Sequence, residues 1–293
     1  MADIAELPSK RARRIGGTIA VRLAIIVLCV LWITPTLGLF VSSFRTEFAI
    51  QTSGWWTTLL DPFNRAQWTL DNYARVITGE GMGQAFVNTI AVTVPAVVFP
   101  ILVAAYAAYA FSWIEFRFRE FFFALFIMMI VVPLQLAFIP LLRAWTALDL
   151  SNSLIAIWIT HAGFAMPIAL LILRNFIAAL PAELIEAAKM ENANHFQIFW
   201  RVVFPLALPA IAAFGVFHFL WIWNDFLVAL VFLGGNPDVQ VVTMNLQKLL
   251  AARGSDWHLL AAAAFVTMIV PVSVFLALQR YFVRGMLAGA VKG

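Results

Sequence analysis

A few polar side chains stand inside long apolar runs, and their types and spacing could do chemistry. Asn224 and Asp225 sit deep in one run among Trp221, Trp223 and Phe226. A carboxylate and an amide between flat aromatic faces suit a polyhydroxylated ligand: the rings cover its apolar faces and the polar groups take its hydroxyls. His161 follows Thr160 in another run, Gln135 lies in a third, and Asn88 opens a fourth. Polar groups are costly at such positions, so each is a functional candidate. The candidates for a substrate path are therefore Gln135, His161, Trp221, Asn224 and Asp225. Each also has a plainer reading. Asn224 and Asp225 can bond neighbouring helices or backbone, a lone His is commonly a satisfied packing group, and Asn88 suits a hydrogen bond at a helix end. No carboxylate is close to His161 in the sequence, so a proton relay has no support there.

Other chemistries are missing. There is no Ser-His-Asp arrangement, no paired carboxylate and no metal-ligand spacing, so no catalytic residue and no metal site is assigned. Cys29 is the single cysteine and cannot form an intramolecular disulfide. The G-x-x-x-x-G-K-[ST] phosphate loop is absent, so the chain is not itself a P-loop ATPase. Basic residues are scattered without an interleaved aromatic stripe, which argues against nucleic acid.

The most informative segment is 174–205, RNFIAALPAELIEAAKMENANHFQIFWRVVFP. Pro181 suits the first position of a helix. Residues 181–191 favour helix, with Glu183 and Glu186 near its positive end. Asn192 is the best non-glycine residue for a left-handed stop. Asn194 with Gln197 makes a capping-box-like restart. Phe196, Phe199, Trp200 and Val203 then share one apolar face, and Pro205 closes the second helix. The result is a helix–turn–helix whose small patch, Ala187 and Ala188, admits a close partner. The plain alternative is a pair of interfacial helices that only cap the bundle.

These groups must be positioned by a membrane bundle. Of 293 residues, 63% are hydrophobic and 12% charged, which excludes a water-soluble domain, a disordered tail and a fibrous repeat. Apolar runs at 20–42, 86–113, 121–142, 153–173, 206–233 and 259–280 are each long enough to cross a ~30 Å hydrocarbon core as a helix. Helix is required because backbone groups in lipid must be satisfied internally. Pro35, Pro95, Pro100, Pro133, Pro140, Pro167 and Pro271 fall inside these runs and predict kinks. The polar arm 1–19 precedes an uncleaved first helix. With the arm in the cytoplasm, 13 Lys and Arg residues fall inside and 6 outside, so both termini are expected inside. The expected layout is arm 1–19, a transmembrane domain 20–285 with external loop 43–85 and cytoplasmic loop 174–205, and a tail 286–293. Trp55, Trp56 and Trp68 put part of the external loop on the outer membrane surface, with one short helix over 69–78 capped by Thr69. Arg280 and Arg284 anchor the last span, and the small-residue tail can reach a cytoplasmic partner. The 234–258 loop faces either solvent or an external partner.

The 174–205 segment resembles the EAA loop of binding-protein-dependent ABC importer permeases. The family pattern is E-A-A, three residues, Gly, nine residues, then I-x-L-P. Glu186, Ala187, Ala188 and Pro205 match, while Asn192, Val202 and Phe204 replace Gly, Ile and Leu. NYARVI, VVPLQLAFIPLL and QRYFVRGMLAGAVKG resemble maltose-type carbohydrate permeases, and SFRTEFAIQTSGWW and WNDFLVALVF resemble α-glucoside-type ones. The resemblance implies an all-α integral membrane fold of six transmembrane helices, like type I ABC importer permeases. It implies a transporter subunit, not an enzyme, in a bacterial cytoplasmic membrane. The implied partners are a homologous second permease, two cytosolic ATPase subunits, an extracellular or periplasmic sugar-binding protein and membrane lipid. This chain would bind no cofactor; ATP and Mg would act through the ATPases. The ATPase-coupling residues would be Glu183, Glu186, Ala187, Ala188, Asn192, Phe196, Phe199 and Pro205. The substrate would be an α-glucoside or related oligosaccharide, with a polyol, sulfosugar or glycerol phosphodiester as rivals. An ion-gradient secondary transporter is the reading from another class; it would favour midplane carboxylates, and only Asp225 is available.

Overall fold

The computed structural model describes residues 10–234, 236–251 and 256–290. Residues 1–9 of the arm and 291–293 of the tail lie outside the described residues, as do the side chains of Arg280 and Arg284 and part of the 234–258 loop. The chain is built of helices: α1 (Lys10–Ser43), α2 (Glu47–Thr52), α3 (Asp71–Ala74), α4 (Met82–Trp113), α5 (Arg119–Met128), α6 (Leu134–Ala147), α7 (Leu154–Ile177), α8 (Ala182–Met190), α9 (His195–Ile198), α10 (Phe204–Trp223), α11 (Leu227–Leu233), α12 (Val242–Ala251) and α13 (Trp257–Ala290). Among the described residues the only extended pairing is an isolated bridge between Arg45 and Trp68.

Five stretches are long and apolar enough to cross a membrane: Val21–Ser43, Met82–Trp113, Leu154–Ile177, His195–Trp223 and Trp257–Gln279. The sixth expected span, 121–142, is a bent pair in which Arg119–Val131 and Leu134–Ala147 meet at 103°. The break is local chemistry. Pro133 forces the residue before it out of the helical region, and Val132 is accordingly extended (φ −75°, ψ 121°). Run 206–233 is also interrupted: α10 stops at Trp223 and α11 restarts at Leu227. Pro35, Pro95, Pro100, Pro140, Pro167 and Pro271 lie inside helices.

Packing centres on α4, α7 and α10. Ala104, Ala105 and Ala108 of α4 are fully buried, as is Ala169 of α7. Small residues at a helix interface let backbones approach closely, which drives association where lipid offers no hydrophobic gain. The same cluster includes Leu170, Leu173 and Ile177 of α7 and Ile185, Ile198, Phe199 and Val203 of the hairpin that follows. Helix α1 is different: its apolar side chains from Val21 to Ile33 are exposed, as a lipid-facing helix requires. It touches the bundle along α13, where Phe40 meets Phe265 edge-on at 5.1 Å. A Cβ on Gly38 would lie 2.6 Å from Trp55 Nε1, so glycine lets the external tryptophan lie on α1.

Segment 43–85 is more structured than the single short helix expected over 69–78. It contains α2, a 3₁₀ turn at Trp55–Leu59, another at Arg65–Gln67, and α3 continued by a π turn to Gly79. Thr69 Oγ1 accepts the Asp71 N–H at 3.0 Å, but the N-cap of α3 is Leu70, one residue on, so Thr69 braces the turn and is not the expected cap. Arg45 organises the rest. It is buried and donates to the carbonyl oxygens of Ala49 and Ser53, each at 2.9 Å. Asn72 Nδ2 donates to the carbonyls of Ser43 and Arg45, again at 2.9 Å. Phe48, Trp56, Leu60 and Phe63 remain exposed.

Candidate coupling hairpin and intramembrane polar site

Helix α8 ends where the sequence places its stop. Asn192 has φ 58°. Its N–H donates to Lys189 O at 3.0 Å, and the Ala193 N–H donates to Ala188 O at 3.1 Å. This pair of bonds is the Schellman arrangement, which satisfies the last carbonyls of a helix with one left-handed residue. Two residues on, Asn194 Oδ1 accepts the Gln197 N–H and Gln197 Oε1 accepts the Asn194 N–H, both at 2.9 Å. The capping box is complete. A stop and a restart only two residues apart make a tight bend.

The hairpin holds the bundle through one side. Ile185 is the buried residue of α8, and Ile198, Phe199 and Val203 are buried on the following turns. Glu183, Glu186 and Ala187 face solvent, and Ala188 is half-buried. Leu184, Met190 and Phe196 are exposed apolar groups on the same structure. The expected single apolar face is therefore split. Phe199 packs inward, 4.9 Å edge-on to Tyr106 and 5.8 Å from Tyr109, whereas Phe196 is 62% exposed and stands beside the exposed Trp200. A π turn follows over Phe199–Val203, in which the Phe204 N–H reaches back to Phe199 O. Its wider repeat shifts the register of the residues beyond it.

Pro205 does not close the second helix. The chain runs on as one span, His195–Trp223, with Pro205 at the first positions of α10. Proline has no N–H to give and its ring crowds the carbonyl four residues back. The π turn immediately before it absorbs both effects. Helix α7 likewise runs to Ile177, so Arg174 is helical and not in a loop. Its guanidinium lies 4.0 Å over the Phe123 ring and 3.3 Å from Glu120.

The polar candidates in the spans separate into two groups. His161 and Asp225 come together: His161 Nε2 lies 4.0 Å from Asp225 Oδ2, and both are largely buried. Proximity in space supplies the carboxylate that the sequence around His161 lacks. Asp225 also accepts the N–H groups of Val228 at 3.3 Å and Ala229 at 3.0 Å, so it caps α11. Its own carbonyl accepts Thr243 Oγ1 at 2.7 Å, which ties the break to α12. Asn224 is exposed and donates back to Leu220 O at 2.7 Å. Both residues of this pair bond backbone groups at the break. Thr160 accepts the indole N–H of Trp145 at 3.0 Å.

Gln135 and Trp221 lie elsewhere. Gln135 is exposed on α6. Trp221 lines an apolar cavity of about 430 Å³ with Met129, Pro133, Phe164, Pro167 and Phe217, at the bend of the third span. Trp223 is buried and donates to Thr267 O at 3.1 Å, so it packs against α13. Asn88 is not at a helix end, because α4 begins at Met82; it ties α4 to the 238–240 turn, donating to the carbonyls of Asp238 and Gln240 at 2.8 and 2.9 Å. Two residues were not singled out by sequence. Ile185 anchors α8, and Tyr109, fully buried on α4, meets His195 Nδ1 at 2.8 Å. A tyrosine near the end of an apolar run is a signal in itself, because a buried hydroxyl needs a partner.

Comparison with known proteins places this architecture. Residues 96–288 match the family described as binding-protein-dependent transport system inner membrane component. The chain is 48% identical to the osmoprotective compounds uptake permease GgtD of Synechocystis sp., over 93% of this chain and 91% of that one. It is 35% identical to the α-glucoside transport system permease AglG of Rhizobium meliloti, over 96% and 99%. It superposes on a chain of a bacterial ABC transporter involved in import of the acidic polysaccharide alginate with a TM-score of 0.74. That match covers 95% of this chain and all of the other at 24% identity, a likeness of fold. The all-helical bundle of five spans and one bent pair, with its EAA hairpin, therefore belongs to the membrane-permease family of binding-protein-dependent ABC importers.

Proposed function

We propose that the chain is one of two homologous permeases of an ATP-driven importer that carries an α-glucoside or related oligosaccharide. In this reading the α8–α9 hairpin docks into a cytosolic ATPase subunit, with two such subunits serving the permease pair. A sugar-binding protein delivers the substrate from outside, and ATP and Mg act only in the ATPases. The membrane is the bacterial cytoplasmic membrane. The arm 1–19, the hairpin and the tail 286–293 lie in the cytoplasm, as the excess of basic residues on that side supports.

The observation that carries the docking role is the two-faced hairpin. Ile185 and Phe199 are locked into the bundle while Leu184, Met190 and Phe196 stay exposed beside Glu183 and Glu186. Exposed apolar groups ringed by charge mark an interaction surface. Changing Glu186 to Lys reverses a charge on that surface without touching the buried side. The variant is expected to insert normally and to lose ATPase co-purification or uptake. Normal co-purification with normal uptake would refute the docking role.

The 48% likeness to an osmoprotective compounds uptake permease favours a second substrate reading within the same mechanism, an osmoprotective compound. Uptake assays with the cognate binding protein, challenged with an α-glucoside and with an osmoprotective compound, separate the two.

A further inference from the structure

We infer that the hydrogen bond between Tyr109 and His195 is the link that makes α4 move with the hairpin. This inference rests on the docking role proposed above and assigns one linkage within it. Tyr109 lies in the last turns of α4 and is 0% exposed. Its hydroxyl lies 2.8 Å from Nδ1 of His195, the first residue of α9. The imidazole is otherwise solvent-facing. With the ring proton on Nε2, the tyrosine hydroxyl donates to Nδ1. On a protonated ring, Nδ1–H donates to the hydroxyl oxygen, so the link survives either state.

Position gives this bond its role. His195 follows directly on the Asn194 cap, so it sits at the bend between α8 and α9, where the orientation of α8 is set. The other contacts that hold the hairpin to the bundle, those of Ile185, Ile198, Phe199 and Val203, are apolar. Apolar contacts resist separation but permit sliding, because they carry no direction. A hydrogen bond is directional and fails when its geometry is lost. Displacement of α9 is thereby passed to α4. From α4 it reaches α7, which packs against α4 along the buried alanine faces of both helices. Tyr109 is a positioning residue that acts through His195.

The test uses the complete importer, permease pair with ATPases, in which Cys29→Ser leaves room for two placed labels. One label goes on Glu191, exposed on the hairpin, and one on Phe99, exposed on α4. The distance between them is measured by pulsed electron paramagnetic resonance, without nucleotide and with ATP and vanadate trapped. The wild-type permease is expected to keep one narrow distance in both states, because hairpin and α4 move as a unit. Tyr109→Phe keeps the ring and its packing and removes only the hydroxyl. On trapping, its distance is expected to shift by about 2 Å or more, the scale of helix shifts in coupled transitions. His195→Asn retains a polar group able to bond the hydroxyl and is expected to restore the wild-type result, whereas His195→Ala is not. A purely structural role would lower thermal stability in Tyr109→Phe and leave the distance unmoved. An ATPase-bound Tyr109→Phe with an unchanged distance overturns the inference alone. Absence of ATPase from the wild-type complex overturns the docking role and the inference with it.

Discussion

His161 Nε2 stands 4.0 Å from Asp225 Oδ2 at the point where the fifth span breaks, although the two residues belong to different helices. The carboxylate has two further tasks, accepting the Val228 and Ala229 N–H groups that open α11. An aspartate placed this way fixes where one helix ends and another starts, with the histidine packed against it.

Asp225→Ala removes the cap and is expected to cost ~0.5–2 kcal/mol of stability, the range for loss of a side-chain helix cap. Asp225→Asn keeps an acceptor and should recover most of it. Thermal unfolding of the purified permease reads both. A loss of transport in Asp225→Asn at unchanged stability would show that the charge, and not the cap, is what the importer uses.

Asn192→Gly should be neutral to slightly stabilising, because the left-handed φ of 58° suits glycine at least as well. Asn192→Val should cost ~1–2 kcal/mol, since a β-branched side chain clashes there. The measurement is ATPase co-purification across the two variants, retained in the first and weakened in the second.

Ile185→Ala empties a fully buried site and is expected to cost ~2–5 kcal/mol locally. Phe196→Ser alters an exposed residue and should leave stability within ~0.5 kcal/mol. Hydrogen exchange over 182–204 checks this contrast. The first variant should lose protection and the second should not, while only partner binding reports the second.

Arg45→Met removes the guanidinium donor of the Ser53 carbonyl and one of three donors to the Ala49 carbonyl, at an expected cost of ~1–3 kcal/mol for a buried group left unsatisfied. The effect should stay within the external segment. Limited proteolysis from the outer side would cut 43–80 faster and leave the spans intact.

What the sequence made legible follows from how local each cause is. The stop at Asn192 and the restart at Asn194 depend on residues two or three apart, and both formed as their types require. Spans are equally legible, because their length and apolarity suffice. The bend at Val132 was written in Pro133, yet a proline inside an apolar run reads equally as a mild kink. The inward turn of Phe199, with Phe196 left outside, depends on the contact of Phe199 with Tyr106 and Tyr109. Those partners are on another helix, which no periodicity reveals. The meeting of His161 with Asp225 and of Tyr109 with His195 is likewise a product of packing.

The most direct test of the central claim is a photo-reactive crosslinker on a cysteine at Ala187, placed in a Cys29→Ser background and activated in intact membranes. The account predicts an adduct with the mass of this permease plus one ATPase subunit, lost when the ATPase is omitted. Failure to form that adduct, together with labelling of the same cysteine by a membrane-impermeant maleimide added outside the cells, would contradict it.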